Sequence, residues 1–318
     1  MTPRLRLRSA LLMLAVLTGG GAGRAQPAKT EPPPAKEPPH ADVEGVFPPV
    51  IDVPEPRRVH WPGRRFSTAD WIITGAGAAM ALAGAIIPPR SQHLRGGILF
   101  DEGARDFLRL DTAQARFVAR DGSDVILSLE ATWPFFVDAL ITTWWWRASP
   151  DTAAQMALVD AQALAVVTGL QGVTNTLVSR ERPYGRNCGT EILPEQTIDC
   201  QGSVRYRSFF SGHAAFSFMS AGLICVHHLE LDLLGGGAPD VITCVTAYTG
   251  AAITATLRTM GDMHYASDVI VGSLVGTTLG IAIPLWHYRG GEKKERDRHG
   301  VDVHLVPVNG GIGVGGTF

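Results

Sequence analysis

The sequence predicts an all-α bundle with five or six helices crossing a membrane, on three observations. Six apolar stretches recur along it (Trp71 to Ile87, Val125 to Trp146, Ala153 to Val178, Phe209 to Leu229, Val241 to Leu257, Ala266 to Trp286), several near the roughly 20 residues that span a bilayer. These stretches are rich in Gly, Ala, Ser and Thr, which let helix backbones approach closely in lipid. Charged residues make up only 18% of the chain, against about 25% in a typical soluble protein. Glu130, Asp138, Gln155 and Asp160 interrupt the apolar pattern and keep a soluble, all-helical bundle as the alternative. A net charge of −2 argues against a nucleic-acid partner.

Taken in order, Met1 to Ala25 (1–25) reads as a secretory signal or a short anchor. Arg4, Arg6 and Arg8 precede the apolar run Ala10 to Leu17, and small residues follow. Residues 26–62, rich in Pro and charge, read as a disordered linker. The helical body is expected over 63–288. Within it, Leu99 to Ala119 has helical spacing with Phe100, Phe107, Leu108, Leu110 and Phe117 as anchors, either along the membrane surface or packed on the body. Trp144, Trp145 and Trp146 suit a membrane interface. His227 and His228 lack neighbours at chelating spacing and read as interfacial rather than metal-binding. Residues 289–318 form a basic tail, where Asn309-Gly310 inside Val301 to Val314 signals a β-hairpin.

Three short motifs at segment ends carry the chemistry: Arg180-Glu181-Arg182-Pro183, Ser211-Gly212-His213, and Arg258 followed by His264 and Asp268. Four residues separate His264 from Asp268, so on a helix they share a face and the carboxylate can hold one imidazole nitrogen. Ser211 and Gly212 precede an apolar helix, where backbone N–H groups attract an anion. Arg182 stands before Pro183, which would end the preceding helix and leave a guanidinium suited to phosphate at its mouth.

In this order the motifs resemble the type 2 phosphatidic acid phosphatase and vanadium haloperoxidase superfamily, whose signature reads Lys-x6-Arg-Pro, Pro-Ser-Gly-His and Ser-Arg-x5-His-x3-Asp. The resemblance covers roughly residues 150 to 285. It implies a helical phosphatase in which His264 attacks phosphorus and Asp268 orients it. His213 serves as general acid and then base, while Arg182, Arg258 and the Ser211-Gly212 backbone neutralise charge. It also implies no metal or other cofactor, vanadate as a phosphate-mimicking inhibitor, and a phosphorylated lipid or isoprenoid as substrate.

The chain departs from the signature at three places. Asn175 stands where the family has its lysine, Phe210 where it has Pro, and Leu257 where it has Ser. Lys29, Lys36, Lys293 and Lys294 all lie outside the core, so Arg180, Arg186 or Arg207 are the candidates for the missing charge. The rival readings are a weakly active or non-catalytic membrane protein and a vanadate-dependent haloperoxidase. Cys188 and Cys200, flanking a polar loop, are candidates for a disulfide in an oxidising compartment, whereas Cys225 and Cys244 read as buried packing residues.

The expected location is a bacterial inner membrane with the site facing the periplasm, the alternative a soluble periplasmic protein. Arg289, Lys293, Lys294, Arg296 and Arg298 favour a cytoplasmic tail. A cleaved signal conflicts with this, because residues 26–69 would also be outside and three crossings would carry the motifs inside. Either Trp71 to Ile87 does not cross, or the first 25 residues are not a translocating signal.

Overall fold

The computed structural model describes residues 58–90, 93–192, 198–298, 302–308 and 311–317, and the surroundings of side chains no further than residue 290. The expectations for 1–25 and for most of 26–62 lie outside the described residues. Among the described residues seven α-helices form the body: α1 (Thr68–Ile86), α2 (Asp101–Leu108), α3 (Ala113–Trp133), α4 (Pro150–Val178), α5 (Gly212–Leu231), α6 (Ala238–Met260) and α7 (Ala266–Arg298). α3 runs on as a π-helical segment, Pro134–Trp146, ending at the three tryptophans. Among the described residues six helical stretches are long and apolar enough to cross a membrane: α1, α3 with its extension, α4, α5, α6 and the first 25 residues of α7. At the C-terminus β1 (Asp302–Val308) pairs antiparallel with β2 (Gly311–Thr317), Val308 opposite Gly311, while Asn309 and Gly310 lie outside the described residues.

Local chemistry sets the helix ends. Asp70 accepts the Ser67 backbone N–H at 2.8 Å to start α1, and Thr112 accepts Ala115 N–H at 3.1 Å to start α3. The expected single segment Leu99 to Ala119 is therefore two helices. The chain becomes extended at Arg109, Leu110 N–H donates to the Met260 carbonyl at 3.1 Å, and Thr112 caps a new helix. Phe100 and Phe107 remain exposed on α2.

Glycine seams bring the spans together. α1 runs parallel to α4, where a Cβ on Gly77 would lie 2.8 Å from the Ala165 backbone and one on Gly84 2.5 Å from Gly172. α7 runs parallel to α5, where Cβ atoms on Gly272, Gly276 and Gly280 would meet the carbonyl oxygens of Ser211, Ala215 and Met219 at 2.5, 2.2 and 2.3 Å. Close backbone approach replaces the hydrophobic effect as the source of packing energy in lipid. Gly276→Ala is expected to cost about 1–3 kcal/mol by overpacking. This would be read as a lower unfolding temperature in detergent beside Gly75→Ala, which meets nothing within 4 Å. Equal melting of the two variants would refute the close seam.

Two expectations need correction. Cys225 and Cys244 are not merely packed: their sulfurs are bonded, joining α5 to α6. His227 and His228 are buried rather than interfacial, because acidic and phenolic partners from other helices reach them. His227 pairs with Asp160 at 2.8 Å and the Tyr288 hydroxyl at 2.7 Å, and His228 with Asp240 at 2.6 Å and Asp138 at 3.3 Å.

Candidate active site

The three motifs meet at the end of the bundle formed by the N-termini of α3, α5 and α7 and the C-terminus of α6. His264 lies in the short loop between α6 and α7, not on a helix. Its Nδ1 donates to the Ser208 carbonyl oxygen at 2.9 Å, and since a carbonyl only accepts, the neutral ring keeps its lone pair on Nε2. That Nε2 is buried and has no partner among the described residues. Asp268 is 3.8 Å from Nδ1, beyond hydrogen-bond reach. The expected direct carboxylate–imidazole bond is thus replaced by a route through Ser208, whose hydroxyl donates to Asp268 at 2.6 Å while Asp268 also accepts the Tyr265 N–H at 3.0 Å.

Burial, with the Arg182 charge next and that of Arg258 also contributing, pushes His264 down to about 3. The folded ring is neutral, whereas the unfolded one titrates at its ordinary value near 6.5. The stabilisation this contributes is therefore full above pH 6.5 and lost as pH falls toward 3. Unfolding temperature should depend less steeply on pH between about 6.5 and 4 in His264→Gln than in the wild type. Equal slopes would mean that His264 is not held neutral.

The cations come from three elements. α4 ends at Val178, with Ser179 in the left-handed region (φ 49°), so Arg182 follows in extended backbone rather than at the helix mouth. Its Nε has no partner among the described residues, and burial lowers its pKa. Arg258, on the last turn of α6, donates to Ser123 Oγ at 3.1 Å and Asp124 at 2.9 Å, and its Nε is likewise unpartnered among the described residues. His213, on the first turn of α5, shares Asp124: its Nε2 lies 2.6 Å from the same carboxylate oxygen.

Arg180 is not part of this group. Its buried guanidinium lies between Asp101 at 2.6 Å and Asp268 at 2.5 Å and donates to Ser267 Oγ at 2.8 Å, leaving it no free edge for phosphate. Burial alone would raise the Asp101 carboxyl, but hydrogen bonds from Arg180, Ile98 N–H and Ser267 outweigh it and hold it below its ordinary value. At α5, the Ser211 N–H donates to the Asp268 carbonyl at 3.0 Å and its hydroxyl caps Ala214 N–H at 3.4 Å. The N–H groups without a helical acceptor are therefore those of Gly212 and His213, not the expected Ser211-Gly212 pair. A Cβ on Gly212 would meet the Gln171 side chain at 3.1 Å.

Arg186 pairs with Glu102, and Arg207 donates to the Gly84 and Ile87 carbonyls at 2.6 and 2.9 Å, so neither takes the place of the lysine. Asn175 is buried and donates to the Gln171 carbonyl at 3.0 Å. Cys188 and Cys200 are bonded to each other and close the loop below this end of the bundle. Among the described residues no group of His, Cys, Asp and Glu has metal-ligand geometry.

Two residues at the site escaped sequence reasoning: Arg120 and Asp124, on the second and third turns of α3. Their one signal is the four-residue spacing of an arginine and an aspartate just before an apolar run. They fall between the segment ending at Ala119 and the one beginning at Val125.

Fold and site together define a helical protein with membrane-length spans and a buried imidazole nitrogen that has no partner among the described residues. Residues 157–292 match the family model of the PAP2 superfamily, the family that the motifs of this segment resemble. A PA-phosphatase related-family protein of Dictyostelium discoideum is 24% identical over 139 residues, which cover 42% of this chain and 49% of that protein. The chain thus matches about half the length of this curated relative. No solved structure matches it.

Proposed function

We propose that the protein is a metal-independent phosphatase that hydrolyses a phosphomonoester or pyrophosphate, on a lipid or isoprenoid, through a phosphohistidine. The observation that carries this reading is the His264 Nε2 atom, buried, neutral and without a partner beside two arginines whose Nε atoms are also unpartnered among the described residues. Such a set suits an anion.

In the first step Nε2 forms a bond to phosphorus as the bond to the leaving oxygen breaks. The positive charge that develops on the ring is stabilised through Nδ1–H by the Ser208 carbonyl and, at longer range, by Asp268. His213 gives the leaving oxygen its proton. Asp124 holds the Nε2 side of that ring, so Nδ1 is the atom left to exchange the proton. In the second step His213 takes a proton from water, whose oxygen bonds to phosphorus while the phosphorus–Nε2 bond breaks and inorganic phosphate leaves. Arg182, Arg258 and the Gly212 and His213 N–H groups neutralise the equatorial oxygens.

The lipid substrate rests on the six candidate spans at whose end the site opens. If all six candidate spans cross, residue 67 and residue 290 share a side, and the basic residues 289–298 favour the cytoplasm for it. The site then faces the periplasm of a bacterial inner membrane, where a Cys188–Cys200 bond persists. With α1 as a span, the first 25 residues do not act as a cleaved translocating signal in this topology.

The test is phosphate release, with chelator present, from phosphatidate, phosphatidylglycerol phosphate, an isoprenyl pyrophosphate and a soluble monoester. Chelator-resistant turnover inhibited by vanadate supports the reading, and preference for a lipid supports the substrate class. Absence of release from all four substrates would favour a non-catalytic protein instead.

A further inference from the structure

We infer that Arg120 is the third phosphate-binding cation of this site, taking the place of the charge that Asn175 does not supply. The inference rests on the phosphatase reading above and deepens it.

The assignment starts from how the neighbouring arginines are engaged. Arg180 is locked between Asp101 and Asp268, Arg186 on Glu102 and Arg207 on the end of α1. Arg105 and Arg109 grip Asp262, Arg205 grips Glu181, and Arg116 binds the Leu110 and Asp111 carbonyls and Glu191. Arg182 and Arg258 keep Nε atoms without a partner among the described residues, and Arg120, paired with Asp199, is the arginine whose helix turn adjoins Arg258.

Arg120 sits one turn before Asp124, the carboxylate shared by His213 and Arg258. Ser123, which accepts from Arg258, donates to the Arg120 carbonyl at 2.5 Å, so this turn of α3 is tied directly to the Arg258 guanidinium. On its other side Arg120 lines a small cavity of about 20 Å³ with Tyr184, Asp199, Gly261 and Met263, three residues from His264 at its Gly261 edge. The Arg120 charge reaches both Arg182 and Arg258. Arg120 and Asp124, four residues apart on α3, share a helix face, which puts a third guanidinium on the side of α3 that Arg258 and His213 contact.

Arg120 is ion-paired to Asp199, the neighbour of the disulfide-bonded Cys200. An arriving phosphate offers the same guanidinium a stronger, bidentate acceptor.

The pairing supplies the test, since a scaffold role and a phosphate-binding role respond oppositely to loss of Asp199. Phosphate release from the preferred substrate and inhibition by orthovanadate would be measured in detergent for the wild type, Arg120→Ala, Arg120→Lys and Asp199→Asn, each checked for unfolding temperature. Arg120→Ala is expected to lower kcat/KM about 100-fold and to weaken vanadate inhibition in parallel. Arg120→Lys should stay within about 10-fold of wild type, and Asp199→Asn within about threefold for both readouts. If Arg120→Ala does not fold, the contrast between Arg120→Lys and Arg120→Gln replaces it, with only the glutamine variant losing vanadate inhibition. Wild-type-like kinetics in Arg120→Ala, or an equal loss in Asp199→Asn, overturns the assignment of Arg120 while leaving the phosphatase reading in place. A wild type that neither releases phosphate nor responds to vanadate overturns both.

Discussion

His264→Ala is expected to abolish turnover, by at least about 1,000-fold in kcat, while the protein melts within a few degrees of wild type. The expectation follows from the Nε2 atom, which makes no hydrogen bond with any described residue, so that its removal breaks only the Nδ1 contact to Ser208. Brief incubation of wild type with labelled substrate should also trap an acid-labile, base-stable phosphoenzyme, which His264→Ala cannot form. Measurable wild-type turnover in the alanine variant, or a phosphoenzyme that survives acid, would remove His264 from the mechanism.

The second large effect is on stability. Arg180→Ala leaves two buried carboxylates, Asp101 and Asp268, without the cation between them. Breaking a buried ion pair from one side typically costs about 3–5 kcal/mol, because an uncompensated charge stays behind. Asp268 also organises Ser208 and the Tyr265 N–H, so the loss should spread to the His264 loop. The expected outcome is a large fall in unfolding temperature, with substrate KM close to wild type in whatever fraction remains folded. A stable variant with a strongly raised KM would return Arg180 to the phosphate pocket, against its present geometry.

These two residues show how differently parts of the site could be read from the sequence. His264 belongs to a spacing pattern with Arg258 and Asp268 that lies within eleven consecutive residues. Arg180 belongs to an equally visible motif, yet its partner Asp101 is 79 residues away on a different helix. Nothing local distinguishes an arginine that binds substrate from one that neutralises a buried acid, because both are guanidiniums near a helix end. Arg120 and Asp124 were hidden for the same reason: their partners Asp199, Arg258 and His213 are 79, 134 and 89 positions away.

By itself the sequence determined what depends on neighbours along the chain. Apolar runs of bilayer length set the helical spans, and three motifs set the nucleophile candidate and the family resemblance. Tertiary structure alone decided which atom holds which. Ser208 rather than Asp268 receives the His264 proton, Gly212 and His213 rather than Ser211 keep free N–H groups, and Cys225 meets Cys244. The physical reason is that pairing of charges and hydrogen bonds is settled across helix contacts. Ångström differences there, such as 2.9 Å to one acceptor against 3.8 Å to another, choose the partner, and residue spacing along a chain does not encode them.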